Sequence, residues 1–190
     1  LPYAFPAFLA TLVWKGMLNT DFGFINQVFL GGAHVPWLDN GLLAKLSILG
    51  VNLWLGFPYM FLVCLGALQS LPGDIEEAAK IDGASGLRTV WSIKLPLVLQ
   101  STVPLLIASF AFNFNNFSLI YMLTGGGPNY PGLSVPVGES DILISMVYKI
   151  AIDSGSPNYG LASAMSIVIF VVVGVIAWLG FRQTKTLEEL

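Results

Sequence analysis

The chain has 190 residues, of which 55% are hydrophobic and only 10% charged, and its mean hydropathy is +0.77. Soluble domains carry about 25% charged residues, so this composition predicts a membrane protein. The formal net charge is −3 and lysine and arginine form no cluster, which excludes the electrostatic footprint of a nucleic-acid partner. The single cysteine, Cys64, lies in an apolar run, so we expect a small buried hydrophobe rather than a disulfide or a metal ligand.

A helix that crosses a bilayer needs about 20 mostly apolar residues. Four stretches meet or approach this length, at residues 1–18, 42–68, 97–123 and 160–181. The first is short and begins inside an apolar run, so we expect the C-terminal part of a longer polypeptide. The predicted fold class is an all-α, polytopic transmembrane helical bundle, with residues 1–190 treated as part of one domain.

Two loops join the outer pairs of these stretches. Residues 19–40 are rich in turn formers and predict an irregular interfacial loop. His34, the only histidine, is expected to be a solvated loop residue, because nothing nearby completes a metal coordination shell. Residues 124–140 are rich in glycine and proline and predict a flexible extended loop, which either contacts an external partner, lines an exit or merely connects. Residues 141–152 predict one short amphipathic helix.

Basic residues predict the orientation, because lysine and arginine favour the cytoplasmic side. They follow the second and fourth stretches, as Lys80, Arg88, Lys94, Arg182 and Lys185. We therefore place residues 69–96 and the C-terminus in the cytoplasm, and the loops around His34 and Pro128 outside.

The cytoplasmic segment at residues 72–96 interrupts two apolar runs with a helix–turn–helix pattern. Asp74 and Glu77 form a D-x-x-E capping box that predicts a helix start, and Gly83 is a typical residue for its end. Ser85 is expected to cap a second short helix, which Pro96 prevents from continuing without a kink.

Two alanines, Ala78 and Ala79, leave a nearly bare flank on the first of these helices, which permits close approach of another protein. A helix this short is unstable alone in water, so it must pack on its own membrane domain or on a separate cytoplasmic subunit. The alternative is a hairpin that merely joins two spans.

This segment also contains a longer motif. In it, E-A-A is followed after three residues by a glycine, and after nine more residues by I-x-L-P. It is filled by Glu77, Ala78, Ala79, Gly83, Ile93, Leu95 and Pro96. This pattern resembles the membrane subunits of binding-protein-dependent ABC importers of type I. The resemblance implies that the segment is a coupling helix, which sits in a groove of an ATP-hydrolysing subunit through Glu77, Ala78, Ala79 and Gly83.

Residues 1–8, 52–60, 107–117 and 123–129 resemble the carbohydrate branch of this family, and most closely the larger membrane subunits of the maltose/maltodextrin type. The resemblance implies a location in the bacterial cytoplasmic (inner) membrane. It also implies a second membrane subunit, an ATPase dimer and an external, periplasmic or extracellular, sugar-binding protein as partners. No G-x-x-x-x-G-K-[ST] phosphate loop occurs, so we expect no cofactor in this chain, with ATP and Mg²⁺ on the partner ATPase.

A polar stripe crosses the third apolar stretch. Its members are Ser109, Phe112, Asn113 and Asn116, spaced i, i+3, i+4 and i+7, which predicts one helical face. Polar groups in a span need partners within the bundle or a wet cavity. Carboxamides can bind sugar hydroxyls, and an aromatic ring can pack on a pyranose. The alternative is that the asparagines hold helices together, at about 0.6 kcal/mol each.

In the second stretch, Pro58 predicts a kink of the kind found in broken helices around transport sites. Tyr59 could then face a cavity, with Gly56 leaving room for a ligand, although an ordinary kinked packing helix explains the same residues. The resemblance implies that Gly56 and Tyr59 join the polar stripe in a sugar site. Phe57 departs from the tyrosine expected there.

The function that follows is that of a permease subunit of an ATP-driven maltose or maltodextrin importer, with neither a catalytic nor a metal site. One alternative is a permease for another neutral solute, because no intramembrane charge faces inward to select ions. The other is a non-transporting membrane scaffold or receptor, in which the polar stripe only holds helices together.

Overall fold

The structure, a computed structural model, describes residues 4–133, 135 and 137–188, with the backbone alone for residues 183–188. Every regular element in these residues is a helix, so the predicted all-α fold is confirmed. The helices are α1 (Ala7–Met17), α2 (Gly41–Gln69), α3 (Gly73–Ile81), α4 (Gly86–Thr89), α5 (Leu95–Phe114), α6 (Phe117–Leu123), α7 (Leu143–Tyr148) and α8 (Tyr159–Glu188). Short π-helical stretches occupy Ile25–Phe29, Val90–Lys94 and Lys149–Asp153.

Three helical segments of the described chain are long and apolar enough to cross a membrane: Gly41–Gln69, Gly86–Phe114 and Tyr159–Arg182. The predicted first stretch contains α1, which has 11 residues, while residues 1–3 of that stretch lie outside the described residues. The four-span organisation therefore stays a prediction.

The prediction of one continuous helix over residues 97–123 is wrong. Helix α5 ends at Phe114, and α6 begins at Phe117 after a turn at Asn115. The break has a local cause, because the side-chain oxygen of Asn116 accepts a hydrogen bond from the backbone N–H of Leu119, at 3.4 Å, and so caps α6. Helix α2 continues through Pro58, and the kink predicted there stays a prediction.

The described chain divides into two compact units, one comprising Leu1–Phe57 and Phe112–Val173 and the other Pro58–Ala111 and Gly174–Leu190. In the first unit, two groups of buried apolar side chains form the core. One consists of Leu18, Val51, Leu119 and Leu123. The other consists of Val147, Ile150, Ala162 and Ile169. Helix α1 packs on α6 at the first of these cores.

The loop at residues 19–40 is more ordered than the sequence predicts. The fully buried Asn26 donates from Nδ2 to the carbonyl oxygens of Thr20, at 2.9 Å, and Val35, at 3.0 Å. Its Oδ1 accepts from Trp37 Nε1 at 2.8 Å. One side chain therefore ties three parts of the loop together. His34 is exposed, as expected of a loop residue, and its Nδ1 lies 3.5 Å from Asp21 Oδ1.

Helix starts follow the local capping chemistry. Asn40 Oδ1 accepts from the N–H groups of Leu42 and Leu43 and so opens α2. Asn158 Oδ1 accepts from Leu161 N at 2.9 Å and opens α8 in the same way.

Candidate functional site

The segment at residues 72–94, predicted to be cytoplasmic, is called the coupling turn from here on. Its first helix, α3, begins two residues earlier than predicted. Pro72 occupies the N-cap position of α3, and no side chain caps this end. The predicted Asp74 capping box is therefore wrong, because Asp74 already lies within the first turn. There the carboxylates of Asp74 and Glu76 interact favourably with the positive end of the helix dipole.

The end of α3 matches the prediction for Gly83, which has a φ of +75°. The N–H of Ala84 donates to the carbonyl of Ala79 at 2.9 Å, and the N–H of Gly83 donates to that of Lys80 at 3.1 Å. These two bonds form a Schellman motif, which needs a left-handed residue at the position of Gly83.

The second helix of the turn begins as predicted, since Ser85 Oγ accepts from the N–H of Arg88 at 3.4 Å. It continues as a π-helical stretch at Val90–Lys94 and then as α5. Pro96 therefore does not end the helix. The change of hydrogen-bond pattern just before Pro96 fits the loss of its backbone N–H from the ladder.

The residues predicted to couple to an ATPase do not all face outward. Glu77, Ala78 and Gly83 are exposed, whereas Ala79 is buried at 4% exposure. The predicted bare flank is therefore formed by Ala78 alone. An apolar side chain that the sequence analysis missed, Ile81, is 86% exposed at the end of α3.

The predicted sugar-site residues include a pair of asparagines that the structure brings together through a third. Asn52 on α2 donates from Nδ2 to Asn113 Oδ1 at 2.9 Å, and Asn116 Nδ2 donates to Asn52 Oδ1 at 3.5 Å. These three residues form what we call the asparagine cluster. Sequence reasoning missed Asn52, although it lies four residues before Gly56 and so shares a face of α2 with it.

The other four residues predicted for the sugar site are described one by one. Phe112 lies on α5 and is 71% exposed, and Gly56 has open space where a side chain would stand. In the second unit, Tyr59 is 37% exposed and Ser109 Oγ lies 4.0 Å from Met60 Sδ. The prediction that all four polar-stripe residues share one helical face is wrong, because Asn116 lies beyond the end of α5.

The loop at residues 124–141, predicted to be external, is called the glycine loop from here on. Its described residues are held by several hydrogen bonds. Its two arms are joined by bonds from Tyr130 N to Val137 O and from Glu139 N to Pro128 O, both 2.9 Å. Thr124 Oγ1 lies 2.8 Å from Ser140 Oγ. The sequence predicted a flexible extended loop, whereas in the described residues these bonds hold the two arms together.

A buried ion pair lies beneath this loop. Lys149 Nζ is 2.7 Å from Asp141 Oδ2, and the two side chains are 5% and 4% exposed. Asp141 also accepts from Ser145 Oγ at 2.8 Å and from the N–H of Gly138 at 2.7 Å. The predicted short helix behind the loop is α7 with the π-helical stretch that follows it, and it supplies the lysine.

The described residues contain no group of three or more histidine, cysteine, aspartate or glutamate side chains placed to hold a metal ion.

Comparison with known proteins assigns the chain to a family. The family model described as "Binding-protein-dependent transport system inner membrane component" matches residues 1–185. The Maltose/maltodextrin transport system permease protein MalF of Vibrio parahaemolyticus serotype O3:K6 is 48% identical over 192 residues, which cover 100% of this chain and 37% of that protein. MalF of Yersinia pestis is 44% identical over 188 residues, which cover 97% of this chain and 36% of that protein. The chain thus spans about 37% of the length of the relatives it matches.

Two solved structures share the fold. A bacterial ABC transporter involved in the import of the acidic polysaccharide alginate matches with a TM-score of 0.81 and 20% identity, over 97% of this chain and 62% of that one. The alginate transporter in complex with an alginate pentasaccharide-bound periplasmic protein matches with a TM-score of 0.82 and 21% identity, over 98% and 62%. At these identities the match concerns the fold alone. The family match shows that this chain belongs to the binding-protein-dependent transport system inner membrane components.

Proposed function

We propose that the chain forms part of the sugar path in an ATP-driven importer of maltose or maltodextrin. The asparagine cluster carries this proposal. Its three carboxamides are neutral and can both donate to and accept from hydroxyl groups, which suits a neutral sugar. The identity of 48% to a maltose/maltodextrin permease over the whole chain supports this substrate class.

The hydrogen bonds of Asn52 to Asn113 and Asn116 use one of its two N–H donors and one of the two lone pairs on Oδ1. A carboxamide can therefore remain linked to its neighbours while it contacts a ligand. Phe112, largely exposed one residue before Asn113, offers a ring for the apolar face of a pyranose. Gly56, with open space at its Cβ position, leaves room on α2.

Coupling to ATP hydrolysis is proposed for the exposed face of the coupling turn. Glu77 offers a carboxylate to a cationic group of the ATPase, Ala78 permits close approach, and the exposed Ile81 offers apolar surface. In this proposal a second membrane subunit completes the path, two ATPase copies supply the power stroke and an external binding protein delivers the sugar. Alternating access moves the sugar without breaking any of its bonds, so the chain acts as a permease rather than an enzyme.

A second candidate function, a non-transporting scaffold, is favoured by one observation. The direct bond between Asn52 and Asn113 joins α2 to α5, and such bonds also occur as plain contacts between membrane helices. In a scaffold the asparagine cluster would stabilise packing and would bind no sugar.

Equilibrium binding of radiolabelled maltose by the intact, reconstituted importer complex separates the two. We expect Asn113→Ala to weaken binding by about 1 to 3 kcal/mol, the cost of leaving a ligand group unpaired. The matched control is Asn115→Ala, an exposed asparagine in the turn between α5 and α6. Absence of saturable maltose binding by the unsubstituted complex would favour the scaffold, and equal losses at Asn113 and Asn115 would favour a general packing role.

A further inference from the structure

Glu76 connects two parts of the coupling turn that are far apart in sequence. Its Oε2 lies 2.6 Å from Nζ of Lys94, 18 residues further along the chain. Its Oε1 lies 3.3 Å from Nζ of Lys80, which is one turn away on the same helix. Each carboxylate oxygen therefore faces one ammonium group, but only Lys94 links α3 to the helix that leads into α5.

The pair is partly sheltered from solvent. The side chain of Lys94 is 27% exposed and that of Glu76 is 45% exposed. The hydrogen bond from Lys94, followed by that from Lys80, holds the pKa of the Glu76 carboxyl below its usual range. Glu76 is therefore ionised at neutral pH. The cleft around the pair has a volume of about 340 Å³ and includes Ala84 and Thr89 in its walls.

The neighbouring Glu77 behaves differently. It is exposed and forms no ion pair with any residue in the described part of the chain. Successive residues of an α-helix point about 100° apart. Glu76 thus faces its own chain, while Glu77 faces outward. The two adjacent acids can therefore have different partners.

We propose that Glu76 and Lys94 are positioning residues that hold α3 in a fixed orientation against the start of the helical segment Gly86–Phe114. This inference rests on the proposed function, in which an ATPase moves α3. The backbone between the two helices turns at Gly83, which has a φ of +75°, and short loops between elements are where hinge motions generally occur. The ion pair closes that turn with a second connection, so movement of α3 reaches the predicted third span instead of being absorbed by the turn.

The size of the effect distinguishes orientation from folding. Exposed and half-exposed ion pairs contribute little to overall stability. Loss of this pair should therefore leave insertion and assembly intact and change how efficiently hydrolysis drives transport.

The test uses the intact complex in proteoliposomes, with maltose-loaded binding protein outside and ATP inside. Maltose uptake per ATP hydrolysed is measured for Glu76→Gln and Lys94→Gln. We expect this ratio to fall about five-fold or more, the lower end of typical coupling between two sites. Co-purification of the ATPase should not change. The matched control is Lys80→Gln, which removes the other ammonium on the same carboxylate without disconnecting the two helices and should retain the ratio of the unsubstituted complex.

Charge exchange provides a rescue that a merely structural role would not give. In a Lys80→Gln background, which avoids repulsion between lysines four residues apart, Glu76→Lys alone should lower the ratio. Adding Lys94→Glu should restore it.

The proposal is overturned by an unchanged ratio in Glu76→Gln, by an equal loss in Lys80→Gln, by no rescue on exchange, or by loss of the ATPase from both single variants. If instead the proposed function were wrong, the unsubstituted complex itself would show no sugar-stimulated ATP hydrolysis. That result differs from every outcome named above, which concerns the variants.

Discussion

At the scale of single residues, Asn116 combines two roles that the sequence did not separate. Its Oδ1 caps α6 through Leu119, and its Nδ2 reaches Asn52. Spacing alone predicted Asn116 on a helical face, because a periodic reading assumes that the helix continues. Asparagine side chains compete with the helix ladder for backbone hydrogen bonds, so the same residue type that marks a polar site also ends the helix there.

Substitutions at Asn116 can separate capping from sugar binding. Serine retains an oxygen that caps a helix, whereas alanine loses the cap at a cost of about 1 kcal/mol. We expect both Asn116→Ser and Asn116→Ala to lose maltose affinity in the intact complex, and only Asn116→Ala to lower its thermal stability. The measurements are equilibrium binding and thermal unfolding of the same preparations. Wild-type affinity in Asn116→Ser would reduce the residue to a helix cap.

The missed Asn52 shows why single-residue prediction was incomplete. Asn113 and Asn116 belong to a run with several polar residues, which attracts attention in a sequence. Asn52 is alone among apolar neighbours, and its partners are 61 and 64 residues away. No local pattern contains that pairing, so only the packing of α2 beside the α5–α6 break reveals it.

At the scale of elements, the coupling turn was predicted well where one residue decides the geometry. Gly83 and Ser85 lie where their backbone and side-chain preferences predicted. The prediction was wrong at Asp74, where a proline two residues earlier already occupied the cap position. Competition between neighbouring capping residues depends on the path of the incoming chain, which the sequence does not specify.

Gly83 offers a sharp test of the turn. A residue with a side chain in the left-handed region costs roughly 1–2 kcal/mol, whereas asparagine tolerates this region better. No neighbouring atom lies within 4 Å of a Cβ placed at Gly83, so the cost is conformational rather than steric. We expect Gly83→Val to lower sugar-stimulated ATP hydrolysis by the intact complex strongly, Gly83→Asn to retain most of it, and both to insert normally.

The charge and bulk of the substituent at Gly83 provide a further comparison. If Gly83→Asp abolishes stimulation while Gly83→Asn does not, the added negative charge also disturbs the face offered to the ATPase. Equal activity of the valine and asparagine variants would contradict the need for a left-handed residue.

The buried pair beneath the glycine loop predicts a large effect on stability. Lys149→Met leaves Asp141 charged and buried without its counter-ion, and breaking such a pair typically costs about 3–5 kcal/mol. We expect a clear fall in the thermal unfolding midpoint of the detergent-solubilised complex. The matched control is Lys45→Met, since Lys45 lies 3.5 Å from Glu139 with both side chains more than a third exposed, and such a pair contributes about 1 kcal/mol or less.

A double variant checks the cause of that loss. Replacing both charges, as Lys149→Met with Asp141→Leu, removes the unpaired buried carboxylate, so part of the stability should return. If Lys149→Met were no more harmful than Lys45→Met, the pair would not be buried in the assembled protein.

At the scale of the whole molecule, the chain spans about 37% of the length of its relatives. Composition predicted the membrane setting, and the motif in the coupling turn predicted the family. The sequence did not predict the order of the glycine loop, because its glycines and prolines suggest flexibility in isolation. Asp141, at the end of the loop, pairs with Lys149 from the segment behind it, a contact that depends on the tertiary fold.

The last prediction concerns the tip of the glycine loop, which we propose as a contact for the external binding protein. Tyr130 and Leu133 are 49% and 56% exposed there, while the backbone beside Tyr130 is fixed by its bond to Val137. Because the backbone at Tyr130 is already held, binding through its exposed ring costs little conformational freedom at that residue. We expect Tyr130→Ser with Leu133→Ser to raise, about ten-fold or more, the binding-protein concentration needed for half-maximal ATPase stimulation, as for other interface anchors.

The control for this prediction lies in the base of the same loop. Gly126 has a φ of +82°, and a Cβ at this position would collide with the side chains of Asp141 and Lys149. Gly126→Ala should therefore disturb the buried pair and reduce stability. A tip variant should instead retain the unfolding midpoint, membrane insertion and basal ATP hydrolysis. Unchanged half-maximal stimulation in the double tip variant would leave the glycine loop as a connector whose order serves only its own packing.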